Sequence, residues 1–356
     1  MREISFQELG IEHKIYDESL IATIRASINK REEMHTIINK LNQNIPKENI
    51  LGPAFCIFVY ITSVEGFDVE LGFPVSKIIA TNEVKTRHLS KIEVLSLVHE
   101  GPADHRRESY KKLYGFTEKH GIISDEFTRE IFLDSNNPEG NKIELQFIIH
   151  DWNGLLEKRL ESVIGKEKKY EVMKGKEKIS LDSESIDKFL YLKCVMERLE
   201  DSINNNQMYD ILSGCTHVFP ENLIQKMKKV YQDSLKENNH YKSIDAVLEF
   251  MEKDRAWIEV PVRKGKILYV TKNPRDPKEY MKANSDVEKR RAYCFCPVIR
   301  ANLDFGMPVQ YCYCGAGWYK QQWEGVFNKP VQINIIESVL QGDERCRFAI
   351  HIPNDL

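Results

Sequence analysis

Short runs of alternating apolar and polar residues dominate the first 150 residues, and two stretches with helical spacing interrupt them. The clearest helical stretch carries apolar Met34, Ile37, Ile38 and Leu41 within residues 31–45, where they would share one face of a helix. In chain order the pattern predicts strands within residues 14–29, 55–60, 67–75, 92–99, 128–133 and 142–149, and helices at 31–45 and 104–120. This order predicts a small α+β domain with an open, mostly antiparallel sheet.

The pattern changes after residue 150. Residues 153–184 are rich in lysine and glutamate, which is typical of a charged linker or of a helix with a solvated face. Apolar stripes at helical spacing follow within residues 185–255, and we expect them, including Cys194, to be core. Further along, the pattern predicts strands at 257–262, 266–270, 331–338 and 345–352, and a helix at 317–327. We therefore expect a first domain at 1–152, a charged linker or helix at 153–184 and a second, α/β domain at 185–356.

Composition narrows the classes of partner. The chain has 356 residues, 42% of them hydrophobic and 29% charged, with a net charge of -3. This is enough material for two or three globular domains. No dense lysine or arginine face is evident, so direct nucleic-acid binding is not expected. The sequence lacks both a signal-peptide core and an apolar run of the ~20 residues that a bilayer crossing needs, so we expect a cytoplasmic protein without membrane contact.

Five of the eight cysteines lie between Cys294 and Cys346, four of them in the Cys-x-Cys pairs Cys294/Cys296 and Cys312/Cys314. In a reducing compartment such clusters are more often metal ligands or catalytic groups than disulfides. A strand places the two thiols of a Cys-x-Cys pair on one face, about 6 to 7 Å apart. That spacing is wide for a single zinc ion, so a turn or a multi-metal site would be required. Metal binding, a catalytic thiol and inert packing are all left open.

Several motifs in the first domain occur together in one known family. They are Glu70-Leu71-Gly72-Phe73-Pro74-Val75, Val98-His99-Glu100-Gly101-Pro102 with the Tyr110 helix, and Arg129-Glu130-Ile131-Phe132. On these residues the stretch 1–152 resembles the gyrase-inhibitor-like (GyrI-like) effector-binding domain, which also occurs in AraC-type and MerR-type regulators. The resemblance implies a duplicated strand-helix-strand-strand unit. It also implies a cleft for hydrophobic, often cationic or planar, small molecules.

In that family a buried carboxylate faces the ligand, which the resemblance maps to Glu130, with Glu144 as second candidate. A carboxylate among apolar groups has lost hydration that a cation or a donor would replace. The aromatic residues expected to line the cleft are Phe55, Phe58, Tyr60, Phe73, Tyr110, Tyr114 and Phe132. The alternative is that Glu130 is an exposed cross-strand partner and the aromatics are core. Because the domain begins almost at Met1, we expect no helix-turn-helix before it, and a transcription factor is disfavoured.

A second resemblance covers residues 290–354. The residues that carry it are the two Cys-x-Cys pairs, the segment Gly315-Ala316-Gly317-Trp318, Glu337 and the turn Gly342-Asp343-Glu344-Arg345-Cys346. On these residues the stretch is similar to the L-2-amino-thiazoline-4-carboxylate hydrolase family. Its last part also resembles 4-vinyl reductase-type sensor domains, in which a ligand cavity lies beside a zinc site. The resemblance therefore implies zinc as the cofactor.

The sensor domains also imply which residues would hold that zinc. Carried over, they are Cys314 or Cys312, Glu337 and Cys346, whereas Leu340 stands where a further cysteine is expected. The candidates for the missing ligand are Cys312, Cys294, Cys296, Cys215, His217 and water. A closed four-ligand site would be structural, and an open one could be catalytic.

The favoured function combines small-molecule binding with hydrolysis of a C=N bond in a small heterocycle such as 2-aminothiazoline-4-carboxylate. The catalytic candidates are Cys314, Glu337 and His351, with either a metal-bound water or a thiolate as nucleophile. Trp318 and Trp323 are candidates for ligand contact, although aromatics on a helix face are more often core. The alternative is a non-enzymatic sensor or carrier of hydrophobic small molecules with a structural metal. Homodimerisation is left open.

Overall fold

The computed structural model describes residues 9–60, 66–79, 81–134, 136–254, 257 and 259–356. Packing divides the chain into two compact units. The first consists of Met1–Thr117 and Ser124–His150, and the second of Glu118–Ile123 and Asp151–Leu356. In the described part of the chain, no helix is both long enough and apolar enough to span a bilayer.

The first unit is built on one eight-stranded antiparallel sheet. Its strands are β1 (Ile11–Tyr16), β2 (Ser19–Ile28), β3 (Phe55–Tyr60), β4 (Phe67–Pro74), β5 (Lys85–Leu89), β6 (Ile92–Glu100), β7 (Ser124–Phe132) and β8 (Lys142–Ile149). Two helices accompany them, α1 (Glu33–Asn44) and α2 (Arg106–Lys119). The predicted α1 stripe of Met34, Ile37, Ile38 and Leu41 is buried, because those positions share one face of the helix.

The strand order β1-β6-β8-β7-β3-β4-β2-β5 shows an internal duplication. The order β2-α1-β3-β4 is repeated as β6-α2-β7-β8, and the two repeats meet where β3 pairs with β7. The strand that precedes each repeat pairs with the other repeat, β1 with β6 and β5 with β2. The α+β class and the duplicated strand-helix-strand-strand order are therefore confirmed.

The second unit combines helices with a small antiparallel sheet. The helices are α3 (Trp152–Ile164), α4 (Lys166–Val172), α5 (Ser185–Ser202), α6 (Asn205–Ser213), α7 (Glu221–Leu235), α8 (His240–Lys253), α9 (Pro277–Lys282), α10 (Asp286–Tyr293), α11 (Pro297–Ala301) and α12 (Tyr313–Phe327). The strands are β9 (Val262–Lys264), β10 (Ile267–Thr271), β11 (Gln332–Glu337) and β12 (Arg347–His351), in the order β11-β12-β10-β9.

The charged interval 153–184 contains α3 and α4 and belongs to the second unit. Leu156, Leu160 and Val172 from these helices lie in its hydrophobic core. The charged residues pair with one another, and the buried Lys169 donates to the exposed Glu161 at 2.7 Å. Of the two alternatives for this interval, linker or helix, its residues adopt the helical one because a buried apolar row fixes them to the core.

Two details differ from the sequence pattern. Helix α12 begins at Tyr313 rather than at residue 317. Gly317 lies inside it, at a point where a Cβ atom would be 2.0 Å from the Ser213 carbonyl oxygen. The glycine thus permits close packing of α12 on α6 and does not interrupt the helix. Cys194, expected in the core, is exposed because the buried row of α5 runs through Leu192 and Val195.

Candidate functional site

The pairing of β7 with β8 decides where the two candidate carboxylates point. Glu130 lies opposite Leu145, whereas Glu144 lies opposite Ile131. Directly opposite residues share a face of the sheet and successive residues alternate. Glu130 and Glu144 therefore lie on opposite faces, and no single cleft on this sheet contains both.

Glu130 is enclosed on its face of the sheet. Its side chain is 0% exposed, and Arg31 binds both of its oxygens, at 2.7 Å and 2.8 Å. Tyr110 from α2 donates to the Oε1 atom of Glu130 at 2.7 Å. Such a bidentate pair is among the strongest that a carboxylate makes. The acceptor capacity that a ligand would need is thus largely used by the protein's own groups.

A second arginine and a thiol complete the surroundings of Glu130. Arg106, buried at the start of α2, places its Nη1 atom 3.8 Å from the Oε2 atom of Glu130. Burial lowers the pKa of Arg106, and the charge of Glu130 opposes that effect. Cys56 lies opposite Glu130 on β3, and burial together with Glu130 raises the pKa of its thiol. Burial and Glu130 likewise raise the pKa of Tyr110. This is a buried ion-pair cluster rather than an open pocket.

The face that carries Glu144 holds a different polar network. Glu144 accepts from Gln146 at 2.9 Å, from Lys14 at 3.1 Å and from Tyr16 at 3.3 Å. Arg129 donates to the Oε1 atom of Gln146 at 2.6 Å and lies over the Tyr16 ring. Burial alone would raise the pKa of Glu144, but the donors from Gln146 and Lys14 hold it below its usual range. The Glu144 carboxylate is therefore ionised and linked to a network of donors.

The cation that pairs with Glu144 differs from the one that pairs with Glu130. The Lys14 side chain is 33% exposed, and its Nζ atom also contacts the Glu12 carboxylate at 2.8 Å. Lys14 can therefore leave Glu144 and keep a partner of opposite charge. Lysine also makes a single-point contact, whereas Arg31 makes two parallel hydrogen bonds. Both carboxylates are buried, Glu144 with 8% of its side chain exposed, but the cation at Glu144 is the more readily displaced of the two.

Apolar residues continue the Glu144 face across the sheet. Ile131 lies opposite Glu144 and Phe55 lies opposite Ile131. They belong to a small hydrophobic cluster of Ile21, Phe55, Ile57, Leu89, Phe127 and Ile131. A charged group beside an apolar floor is a common arrangement for binding a small molecule.

The aromatic residues predicted to line a cleft lie in different places in the structure. Phe73 and Phe132 are fully buried core residues, and alternation places Phe132 on the Glu130 face. Tyr110 binds Glu130 and its ring lies 6.0 Å from that of Phe147. The side chain of Tyr60 lies outside the described part of the chain. Phe58, which lies under the Arg31 guanidinium, accompanies Tyr110 at Glu130, whereas Phe55 lies on the Glu144 face.

The five clustered cysteines come from three segments of the second unit. Cys294 and Cys296 lie between α10 and α11, Cys312 and Cys314 at the start of α12, and Cys346 just before β12. All five pack on one hydrophobic core, which also contains Tyr311. Burial raises the pKa of each thiol, to about 12 for Cys314. In this arrangement the thiols are protonated at neutral pH and are weak nucleophiles.

Glu337, predicted as a zinc ligand, is engaged elsewhere. Arg345 contacts its carboxylate at 2.5 Å and Arg347 at 3.6 Å. The Arg345 hydrogen bond, more than the Arg347 charge, holds the pKa of Glu337 below its usual range. Within the described ranges, the ligand atoms of Cys314, Glu337 and Cys346 do not all lie within 4.8 Å of one another. These residues do not fit a single zinc ion as arranged.

The remaining candidates lie in the core or at its edge. Trp323 is fully buried beside Phe327, and Trp318 packs edge-on against Phe219. His351 ends β12 between Ile267 and Gln332. Its Nε2 atom is buried and has no hydrogen-bond partner among the residues that the structure describes. None of the three is brought to the cysteines by a described hydrogen bond.

Sequence reasoning missed the groups that bond to the two carboxylates. Arg31 lies in a Lys-Arg-Glu run that is typical of an exposed turn, and Lys14 lies in a polar strand. One signal was available for Arg31. It lies two residues before the first helix of the duplication, and Arg106 begins the second, so matching the two repeats would have paired these arginines.

Comparison with known proteins gives partial matches. Residues 272–356, which include all five clustered cysteines, match the model of a family of unknown function (DUF6144). Curated proteins give no significant match.

Several solved structures match 39% of the chain, and three of them illustrate the likeness. The complex of EcmrR with DNA is 20% identical with a TM-score of 0.35, and the match spans 56% of that chain. The EcmrR C-terminal domain is 20% identical with a TM-score of 0.34 and is covered over 96% of its length. A hydrolase from Listeria innocua is 12% identical with a TM-score of 0.30 and is covered over 91%. At these identities and scores the likeness identifies neither a ligand nor a reaction.

Proposed function

We propose that the first unit binds an apolar small molecule, cationic or planar, on the sheet face that carries Glu144. The proposal rests on one observation: an ionised carboxylate lies directly beside a cluster of apolar side chains on the same face of the sheet. Glu144 lies directly opposite Ile131 on the neighbouring strand, and Ile131 belongs to the cluster with Phe55 and Ile57. The motifs shared with GyrI-like domains favour the same class of ligand.

The ion pair of Glu144 supports a cationic ligand in particular. A bound cation would replace Lys14, which contacts Glu144 at 3.1 Å and Glu12 at 2.8 Å. Because Lys14 keeps Glu12 as a partner, the exchange leaves no lysine charge unmatched. A ligand at Glu130 would instead have to displace the two hydrogen bonds of Arg31 and leave a guanidinium without its partner, which is costly. We therefore favour Glu144 over Glu130 as the ligand's partner.

Calorimetry with tetraphenylphosphonium, an apolar cation without hydrogen-bond donors, tests the proposal on the full chain. Replacing Glu144 by Gln should weaken binding by about 1 to 3 kcal/mol, because the ligand charge loses its counter-charge. Glu93→Gln is the matched control, since Glu93 lies on β6 and makes an exposed pair with His13. Equal affinities of the wild type and both variants would overturn the assignment to Glu144.

For the second unit, the sensor or carrier role is the alternative that the geometry favours. A free thiolate is disfavoured by the raised pKa values of all five thiols, and Glu337 is paired with Arg345 rather than poised as a base. Hydrolysis of a C=N bond remains a prediction. Incubation with 2-aminothiazoline-4-carboxylate tests it, and turnover that is lost in Cys314→Ser would support the hydrolase over the carrier.

A further inference from the structure

Arg129 on β7 is a buried cation whose contacts leave part of its binding capacity unused. The residue is 5% exposed, its Nε atom donates to the Oε1 atom of Gln146 at 2.6 Å, and its guanidinium carbon lies 4.5 Å from the centre of the Tyr16 ring. Its Nη2 atom is buried and has no hydrogen-bond partner in the described part of the chain. Arginine stays ionised when it is buried, and a buried charge is normally paired. Arg129 therefore has both a donor and a charge available for another group.

The Gln146 amide separates Arg129 from Glu144. Its Oε1 atom accepts from Arg129, and its Nε2 atom donates to Glu144 at 2.9 Å and to the Tyr16 hydroxyl at 2.8 Å. Arg129 lies opposite Gln146 across the strand pair, and alternation places both on the face that carries Glu144. This face thus presents a carboxylate and a guanidinium that are joined through a neutral amide.

The internal duplication gives each residue of β7 a counterpart on β3. Ile131 lies opposite Glu144 on β8, and in the same way Ile57 lies opposite Glu70 on β4. The carboxylate therefore recurs in both repeats. In the first repeat, however, Arg87 closes it with two hydrogen bonds, at 2.9 Å and 2.8 Å. A ligand site that depends on an exchangeable cation is thus confined to the second repeat.

The residues next to the carboxylate differ between the repeats. Arg129 lies two residues before the isoleucine of β7, and Phe55 lies two residues before that of β3. Their partners across the strand are Gln146 and Gly72. The same sheet positions accommodate an aromatic ring and a glycine in the first repeat, so the fold does not require a buried arginine there. Because an unpaired buried charge is costly, its presence in the second repeat indicates a ligand.

We propose that the ligand of the Glu144 face is a zwitterion, with its cationic group at Glu144 and an anionic group at Arg129. This inference rests on the proposed function, since it assigns a second contact to the same ligand. The anionic group would accept a hydrogen bond from the Nη2 atom of Arg129, and charge-assisted hydrogen bonds of this kind are among the strong ones. The apolar body would lie over the cluster that includes Phe55, Ile57 and Ile131.

Calorimetry with two matched ligands tests the inference on the full chain. Decanoylcarnitine carries a quaternary ammonium group and a carboxylate, whereas decanoylcholine has the same acyl chain and ammonium group without the carboxylate. The wild type should bind decanoylcarnitine about tenfold more tightly, as one hydrogen bond between charged groups provides. Arg129→Met should lose this preference by weakening decanoylcarnitine alone, and Glu144→Gln should weaken both ligands. Arg25→Met is the matched control and should keep the preference, since Arg25 is an exposed arginine paired with Asp68.

The comparison of the two ligands on the wild type needs no variant, so it decides the matter even if Arg129→Met does not fold. Equal affinities for the two ligands would overturn the zwitterion, as would an unchanged preference in Arg129→Met. Binding of tetraphenylphosphonium but of neither acyl ligand would overturn it as well. In these cases, cation binding that Glu144→Gln weakens would leave the proposed function standing. Cation binding that Glu144→Gln does not change would overturn the assignment to Glu144, and the zwitterion with it.

Discussion

Glu130 and Glu144 lie on neighbouring strands of one sheet, but their surroundings differ in kind. Glu130 is held by two bonds from Arg31 and one from Tyr110. Glu144 is held by amide, phenol and ammonium donors that include the half-buried Lys14. Among the described residues, Arg31 pairs its charge with Glu130 alone, whereas Lys14 pairs with both Glu144 and Glu12. A saturated buried pair stabilises a fold, and a shared pair can be exchanged for a ligand.

The largest expected difference between the two carboxylates is in stability. Glu130→Gln leaves Arg31 without its counter-charge and removes the stronger of the two carboxylate charges that act on Arg106, so it should destabilise the first unit by about 3 kcal/mol. Glu144→Gln should cost about 1 kcal/mol, because the Lys14 charge can turn to Glu12 and to solvent. Hydrogen exchange of the β3 and β7 amides measures the opening free energy of this sheet.

A double variant separates lost charge from lost packing in that comparison. Replacing Arg31 by Met together with Glu130→Gln should recover part of the loss, since a buried ion pair can be replaced by apolar groups at little cost. If Glu130→Gln is no more destabilising than Glu144→Gln, the two clusters do not differ in the way that their hydrogen bonds indicate.

A smaller effect is expected from pH. Burial alone would raise the pKa of Glu70 and of Glu144, but hydrogen bonds from Arg87 and Thr23, and from Gln146 and Lys14, lower both. A carboxyl whose folded pKa is depressed adds stability above its unfolded value of about 4.3, and that stability is lost as pH falls through the folded value. Melting of the first unit should therefore be steady near neutral pH and decline below about pH 4.

Glu144→Gln should flatten part of that decline, because Gln does not titrate. Glu93→Gln, at an exposed site, is the matched control. A Glu144→Gln profile that superimposes on the wild type would show that Glu144 has the same pKa in the folded and unfolded chain.

The two faces also show how far sequence reasoning reaches. The duplicated order of strands and helices follows from the alternation of apolar residues and from stripes such as that of α1. The sequence pattern does not show which face of the sheet carries Glu130 or Glu144, because a shift of one residue in strand register moves every side chain of the strand to the other face. The partners Arg31 and Lys14 lie about 100 or more residues away in sequence from the carboxylates they bind, and polar runs near the start of the chain carry no signal of burial.

The second unit shows a different limit. The Cys-x-Cys argument assumed extended chain, whereas Cys294 and Cys296 lie between α10 and α11, and Cys312 and Cys314 lie at the start of α12. That Glu337 pairs with Arg345 and Arg347 could not be derived, since the bulge after Ile335 sets its direction. A motif shared with a family predicts which residues follow one another in sequence, but strand register determines which way each side chain points.

The smallest change in stability is expected for Lys14→Met, which also tests most directly whether Glu144 is the partner of the ligand. Lys14→Met removes the internal competitor for Glu144 and keeps most of the apolar length of the side chain. Stability should change by no more than about 1 kcal/mol, because the pair is partly exposed. Binding of a lipophilic cation should nevertheless become several-fold tighter, since the ligand no longer displaces an ammonium group. Calorimetry on Lys14→Met and on Glu144→Gln gives opposite shifts if Glu144 is the ligand's partner. Weaker cation binding by Lys14→Met would show that Lys14 supports the ligand rather than competing with it.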